Sequence, residues 1–282
     1  MAYIKTWEEL TISDNFLFQK VMQNESVCKR FIEKLLRISV KSISYPIAEK
    51  VIETSPTQKG IRLDLYVETA EGTVLDIEMQ TTEGNRAWLP KRTRYYQATI
   101  DVSVLKKGTD YTMLKKTYII FICTFDPFGY NRKIYTFTNR CREQRNLELG
   151  DEAVRIFLNS KGTVGRVDKD IDKFLAYVES GVAEGQFTQD IAAEIKRLKT
   201  SKETEVEYMT WTAEMQDQRR EGRLEGMREG LIEGRREGMR DGLDFAIRNM
   251  IETLGFTVKQ AMDALKIPIA EQPQYAARLQ NA

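Results

Sequence analysis

The sequence predicts a mixed α/β core followed by a helical C-terminal region. Three observations carry that expectation. Residues 61–80, "IRLDLYVETAEGTVLDIEMQ", alternate apolar and polar side chains in two runs separated by Gly72, the pattern of a β-hairpin. Residues 116–125, "KTYIIFICTF", form a short apolar run rich in β-branched and aromatic side chains, as a buried strand does. Helical spacing dominates elsewhere, and from Asp168 the chain reads as helix almost to its end.

The elements follow in order. Residues 11–38 form an opening helix with Ser13 or Asp14 as N-cap, an apolar face from Phe16 to Ile38 and an interruption near Asn24. A short β-like stretch at 42–53 comes next, then the hairpin. Residues 85–108 have one proline near their start and then Tyr96, Ile100 and Val104 at every fourth position, a helix. After the buried strand come the loop "DPFGYN" and two further strands, "KIYTFTN" and "EAVRIFLNS". These elements divide into a core over 1–160, a helical extension over 161–220, an arm over 221–243 and a small helical segment over 244–282.

The arm is an internal repeat. In "EGRLEGMREGLIEGRREGMRDG" glycine recurs at 222, 226, 230, 234, 238 and 242, each after Glu or Asp. A glycine costs a helix about 1 kcal/mol relative to alanine, and a four-residue period drifts about 40° per repeat around a helix of 3.6 residues per turn. The glycines therefore spiral around the helix. The segment reads as a charged, solvated helical arm or as a self-association helix that makes the chain a homo-oligomer. Residues 243–268 pair a helix, a Gly turn and a short helix, the spacing of half a helix-turn-helix or of a small helical cap.

Composition excludes several chemistries. The chain has 282 residues, 41% apolar and 30% charged, with a net charge of +1 and no histidine. Without histidine there is no Ser-His or Cys-His nucleophile, no histidine base and no histidine-ligated zinc. The three cysteines, Cys28, Cys123 and Cys141, show no C-x-x-C spacing and fit a reducing cytoplasmic compartment. No apolar run is long enough to predict a membrane span.

The chemistry lies in the hairpin. A turn centred on Glu71 sets Asp64 opposite Glu78, Arg62 opposite Gln80 and Tyr66 opposite Asp76, all on one face. Directly opposed side chains have Cβ atoms roughly 5 Å apart, where like charges repel. Two carboxylates there suit a hard cation such as Mg²⁺, which takes one or two carboxylates and completes its shell with substrate phosphate and water. The same pattern fits an ordinary solvated face with Arg62 softening the repulsion. Between Arg86 and Arg145 stand 13 basic residues and four acidic ones, a local surplus that would attract a phosphate backbone.

"RLDLYV" and "IEMQ", with fourteen residues from Asp64 to Glu78, resemble the D…E-x-K/Q signature of PD-(D/E)XK nucleases. Together with "SDNFLFQKVM", "RTRYYQATID", "LKKGTDYTMLKKTYIIFI" and the Glu-Gly tail, the chain resembles the bacterial recombination-promoting nuclease and transposase family of that superfamily, over roughly residues 10–160. The resemblance implies a restriction-endonuclease-like core of helix, three-stranded sheet, helix and strand, and metal-dependent DNA cleavage with Mg²⁺, or Mn²⁺ or Ca²⁺ in its place. By position Asp64 and Glu78 would be the metal ligands, and Gln80 would stand where a lysine is usual. Arg94, Tyr96 and Gln97, with Lys91 and Arg92, would approach the phosphate or brace the site. Asp14 matches a family position. Glutamine cannot serve as a base, which leaves Lys91 or a second phosphate oxygen for that task. The expected activity is a DNA endonuclease tied to recombination or a mobile element. The alternatives are a nuclease-like fold that binds DNA without cutting and an oligomeric scaffold built on the arm.

Overall fold

The computed structural model describes residues 4–44, 47–52 and 60–280. The opening helix is two helices, α1 (Asn15–Met22) and α2 (Glu25–Leu36). The break falls at Asn24, whose side chain accepts from the backbone N–H groups of Ser26 and Val27 and starts α2 afresh. A side chain that caps a new helix competes with continuation of the old one. Asp14 holds the N-cap position of α1, but its carboxylate turns back to the Thr11 N–H instead of capping.

Six strands form one sheet in the order β1-β2-β3-β4-β6-β5. They are β1 (Ile47–Ile52), β2 (Ile61–Glu68), β3 (Val74–Gln80), β4 (Thr117–Cys123), β5 (Ile134–Phe137) and β6 (Ala153–Asn159). Part of the predicted 42–53 stretch, at 45, 46 and 53, lies outside the described residues. Tyr66 pairs with Asp76, Val67 with Leu75 and Glu68 with Val74, the register that a turn at Glu71 demands. Gly72 supplies the turn with φ +85°, a conformation glycine enters without cost.

β3 then runs parallel to β4, and the crossover is α3 (Leu89–Val104), with Pro90 in its first turn, where its missing N–H costs nothing. α3 packs on β1 and β4. Tyr96 and Ile100 enter the same core as Val74, Ile119, Phe121 and Phe157, with Val104 packed against it. The other face of the sheet receives α1 on β2. With a strand on each side and helices over the sheet, every residue of β3 is buried. The sheet exceeds the expected three strands plus one because β5 and β6 continue it past β4.

The helices from Lys169 onward are α4 (Lys169–Ser180), α5 (Gln186–Thr200), α6 (Lys202–Leu254), α7 (Val258–Ala264) and α8 (Gln272–Gln280). α4 starts on an Asp168 cap and, with α5, packs on α2. Arg30 of α2 ties them together through Asp170 at 3.1 Å and Asp190 at 3.0 Å. The chain divides into two compact units, 1–209 and 210–282. In the second, Ile247, Ala261, Met262, Ile267 and Tyr275 make a small core of their own. No helix among the described residues is long and apolar enough to cross a membrane.

Candidate active site

The site forms where the β2–β3 ladder ends. Beyond the Tyr66–Asp76 pair, side chains replace backbone partners. The Asp64 N–H donates to Glu78 Oε1 at 3.1 Å, and the Met79 N–H donates to Asp64 Oδ2 at 3.3 Å. Each carboxylate thus satisfies an N–H on the opposite strand, and the pair is held across the gap by the very groups a regular ladder would use. Gln19, buried on α1, donates to Asp64 Oδ1 at 3.3 Å. On β3, Gln80 Nε2 donates to Glu78 Oε2 at 3.1 Å.

The counter-charge comes from α3. Arg92 Nη2 lies 2.5 Å from Glu78 Oε2, Nη1 lies 3.0 Å from Gln80 Oε1, and Nε donates to the Tyr96 hydroxyl at 2.8 Å. The guanidinium stacks over the rings of Tyr96, at 4.8 Å, and Phe121, at 5.3 Å. Arg62, the cation the hairpin register suggests, is exposed on β2 instead. Two residues along β3 from Glu78, Asp76 is 0% exposed, and neither of its carboxyl oxygens has a hydrogen-bond partner among the described residues.

Two fully buried acids, Asp76 and Glu78, and the half-buried Asp64 share one guanidinium, and burying unpaired charge costs several kcal/mol. Burial favours the neutral, protonated form of each acid. Burial raises the pKa of Asp64, against the opposing pull of Arg92 and the Met79 N–H. Burial raises that of Glu78 too, and the Asp64 charge adds to it while Arg92 opposes. Asp76 is pushed well above the usual carboxylate range by burial first and by Glu78 and Asp64 next. Burial also drives the Tyr96 hydroxyl up, so it stays a neutral donor and acceptor.

The structure brings Asp64, Glu78, Gln80, Arg92 and Tyr96 into one bonded group. The other expected residues lie outside it. Gln97 is buried on α3 and donates to Asp101 at 3.0 Å. Lys91 and Arg94 are exposed on α3 and have no ion-pair partner among the described residues. Asp14 accepts from Thr11 and Lys5, which closes the turn before α1. Several members of the basic stretch are spent elsewhere, Lys133 on Asp172 and Arg140 on Glu148. Gln19 and Asp76 are the members that sequence reasoning passed over. A lone amide between Phe18 and Val21 on an apolar helix face was the signal for Gln19.

The donor set fits a hard cation in a particular way. Among the described residues no three His, Cys, Asp or Glu side chains gather to hold a metal. What the site offers is two carboxylates and the Gln80 amide oxygen. That is the partial set on which Mg²⁺ relies, with water and substrate phosphate supplying the rest. The excess of carboxyl groups over one guanidinium points the same way.

The family described as PD-(D/E)XK nuclease family transposase matches residues 15–178, more than half of the chain and the segment that contains the whole bonded group. No curated protein and no solved structure matches the chain.

Proposed function

Because the chain belongs to the PD-(D/E)XK nuclease family transposases, we propose that it is a metal-dependent DNA endonuclease acting in the cytoplasm in recombination or in the movement of an element. The observation that carries this reading is the cross-braced pair of Asp64 and Glu78, with Arg92 as the one guanidinium bound to it. Asp64 and Glu78 would hold Mg²⁺, or Mn²⁺ or Ca²⁺, with the Gln80 oxygen beside them. The metal, when bound, supplies an acidified water and neutralises charge on the scissile phosphate.

The chain's own side chains do the rest. Gln19 and the Met79 N–H fix the rotamer of Asp64, and the Asp64 N–H fixes that of Glu78. Gln80 neither gives nor takes a proton at neutral pH, so it orients a water and does not deprotonate it. Tyr96 seats Arg92. On the outer face of α3, Lys91 and Arg94 stand exposed beside Trp88 and Tyr95, a basic and aromatic surface suited to a nucleic-acid backbone and its bases. Self-association through the glycine-bearing part of α6 belongs to the same proposal. An added Cβ at Gly222, Gly226, Gly230, Gly234, Gly238 or Gly242 meets nothing within 4 Å, which leaves those backbones open to a close neighbour.

Supercoiled plasmid tests the reading. The wild type should nick or linearise it with Mg²⁺ and not with EDTA, and Asp64→Ala and Glu78→Ala should be inactive while retaining the native circular-dichroism spectrum. DNA binding without cutting in Mg²⁺, Mn²⁺ or Ca²⁺ would replace the nuclease with a DNA-binding protein of nuclease fold.

A further inference from the structure

Arg92 commits all three guanidinium nitrogens inside the site, and two of its acceptors are the side chains that β3 offers to a cation. Nη2 is 2.5 Å from Glu78 Oε2 and Nη1 is 3.0 Å from Gln80 Oε1. A divalent ion on that edge of Glu78 would stand against a positive charge at hydrogen-bond distance, which is strongly unfavourable in a buried setting. The guanidinium and the ion therefore compete for the same oxygens.

We infer that Arg92 is an internal counter-ion that metal loading displaces, and that its freed guanidinium then turns to the substrate phosphate. The inference rests on the nuclease reading above. Its basis is the bidentate hold of Arg92 on the β3 donors together with a seat that lets it leave. The Arg92 side chain is 22% exposed while Glu78 is fully buried, so the arginine reaches solvent and the carboxylate does not. The Tyr96 and Phe121 rings lie beneath the guanidinium, a cation–π surface over which it can shift while retaining contact. A planar fork of donors matches a phosphate as well as a carboxylate. The consequence is a site whose β3 oxygens are occupied by its own arginine until an ion arrives. A cation binds weakly alone and better when DNA is present to take the arginine, because the arginine-bound state lowers the apparent affinity by its population.

The test follows Arg92 in the full chain by the ¹⁵Nε–H resonance of labelled arginine, assigned by its loss in Arg92→Lys, during a Mg²⁺ titration run in parallel with calorimetry. The wild-type resonance should shift with the calorimetric midpoint, and it should stay fixed in Glu78→Gln. Arg92→Gln should bind Mg²⁺ about tenfold more tightly than the wild type. Binding heat with an unmoved Arg92 resonance would show that ion and guanidinium coexist and would overturn the exchange while leaving the nuclease reading intact. No heat with either the wild type or Arg92→Gln would remove the metal site itself, and the exchange with it. The wild-type titration does not depend on the folding of the Gln variant, so one readout always remains.

Discussion

The β2–β3 site and the glycine-bearing stretch of α6 are both rich in charged side chains, and they use charge in opposite ways. Along 221–242 nearly every Glu and Arg is exposed, and the glycines meet no neighbour. Pairs there, such as Arg240 with Glu237 at 3.8 Å, are loose and half in water, an arrangement worth a few tenths of a kcal/mol. In the sheet, Asp76 and Glu78 are fully buried beside Asp64, and Asp64 and Glu78 are held by hydrogen bonds from Gln19, the Met79 N–H, Gln80 and Arg92. Solvated charge is inexpensive and says little about chemistry. Desolvated charge is costly, persists only where the surrounding structure enforces it, and marks the place where a ligand can be gained.

The comparison breaks most visibly if charge removal in the sheet leaves catalysis intact. Glu78→Gln keeps the shape and the backbone bond but removes the anion, and cleavage should fall on the order of a thousandfold, measured as the single-turnover rate on plasmid. The bracing groups come next. Gln19→Ala and Tyr96→Phe each remove one hydrogen bond that orients a ligand or its arginine, and the rate should drop about ten- to a hundredfold with the melting temperature little changed.

A pH series sharpens the same contrast. A carboxyl whose pKa rises on folding keeps its proton in the folded state after the unfolded chain has lost it, so stability falls as pH rises between the two values. For Glu78 that window runs from 4.5 to about 8, and for Asp64 from 3.8 to about 6. The metal-free protein should therefore melt at progressively lower temperature as pH rises from 5 to 8, and Glu78→Gln should lose much of that slope. Mg²⁺ affinity should move the other way and strengthen with pH, because only the ionised carboxylates bind it.

The smallest effect on catalysis belongs to the arm. Replacing all six of its glycines by alanine should raise helix stability by about 1 kcal/mol per site, since no added Cβ has a clash, and should leave the cleavage rate within about twofold. Light scattering on the same variant separates the two readings of the repeat. An unchanged molar mass supports a solvated arm, and a fall in mass places a second copy against the glycines.

Much of this was legible in the chain. The period of two and Gly72 were enough to set the hairpin register, and therefore the opposition of Asp64 and Glu78, because side-chain alternation leaves no other face for them. The apolar run at 117–123 and the four-residue spacing of Tyr96, Ile100 and Val104 placed β4 and α3. What escaped was tertiary. Alternation on β3 suggests one wet face, yet the strand is buried on both because α3 covers it, and that makes Asp76 an orphan. The resemblance put Arg92 and Tyr96 near the site but did not give the pairing of Arg92 with Glu78, and Gln19 reaches Asp64 from 45 residues away. Neither pairing is written in local sequence, although the lone amide of Gln19 on an apolar helix face hinted at one partner. The most regular motif in the sequence, the Glu-Gly repeat, lies exposed, with glycines that meet no neighbour within 4 Å.

The most direct test of the central claim sets three proteins side by side on supercoiled plasmid in Mg²⁺: the wild type, Glu78→Gln and the arm variant with six alanines. The account predicts cutting by the wild type and the arm variant and none by Glu78→Gln, with all three folded. Equal cutting by Glu78→Gln, or loss of cutting confined to the arm variant, would contradict it.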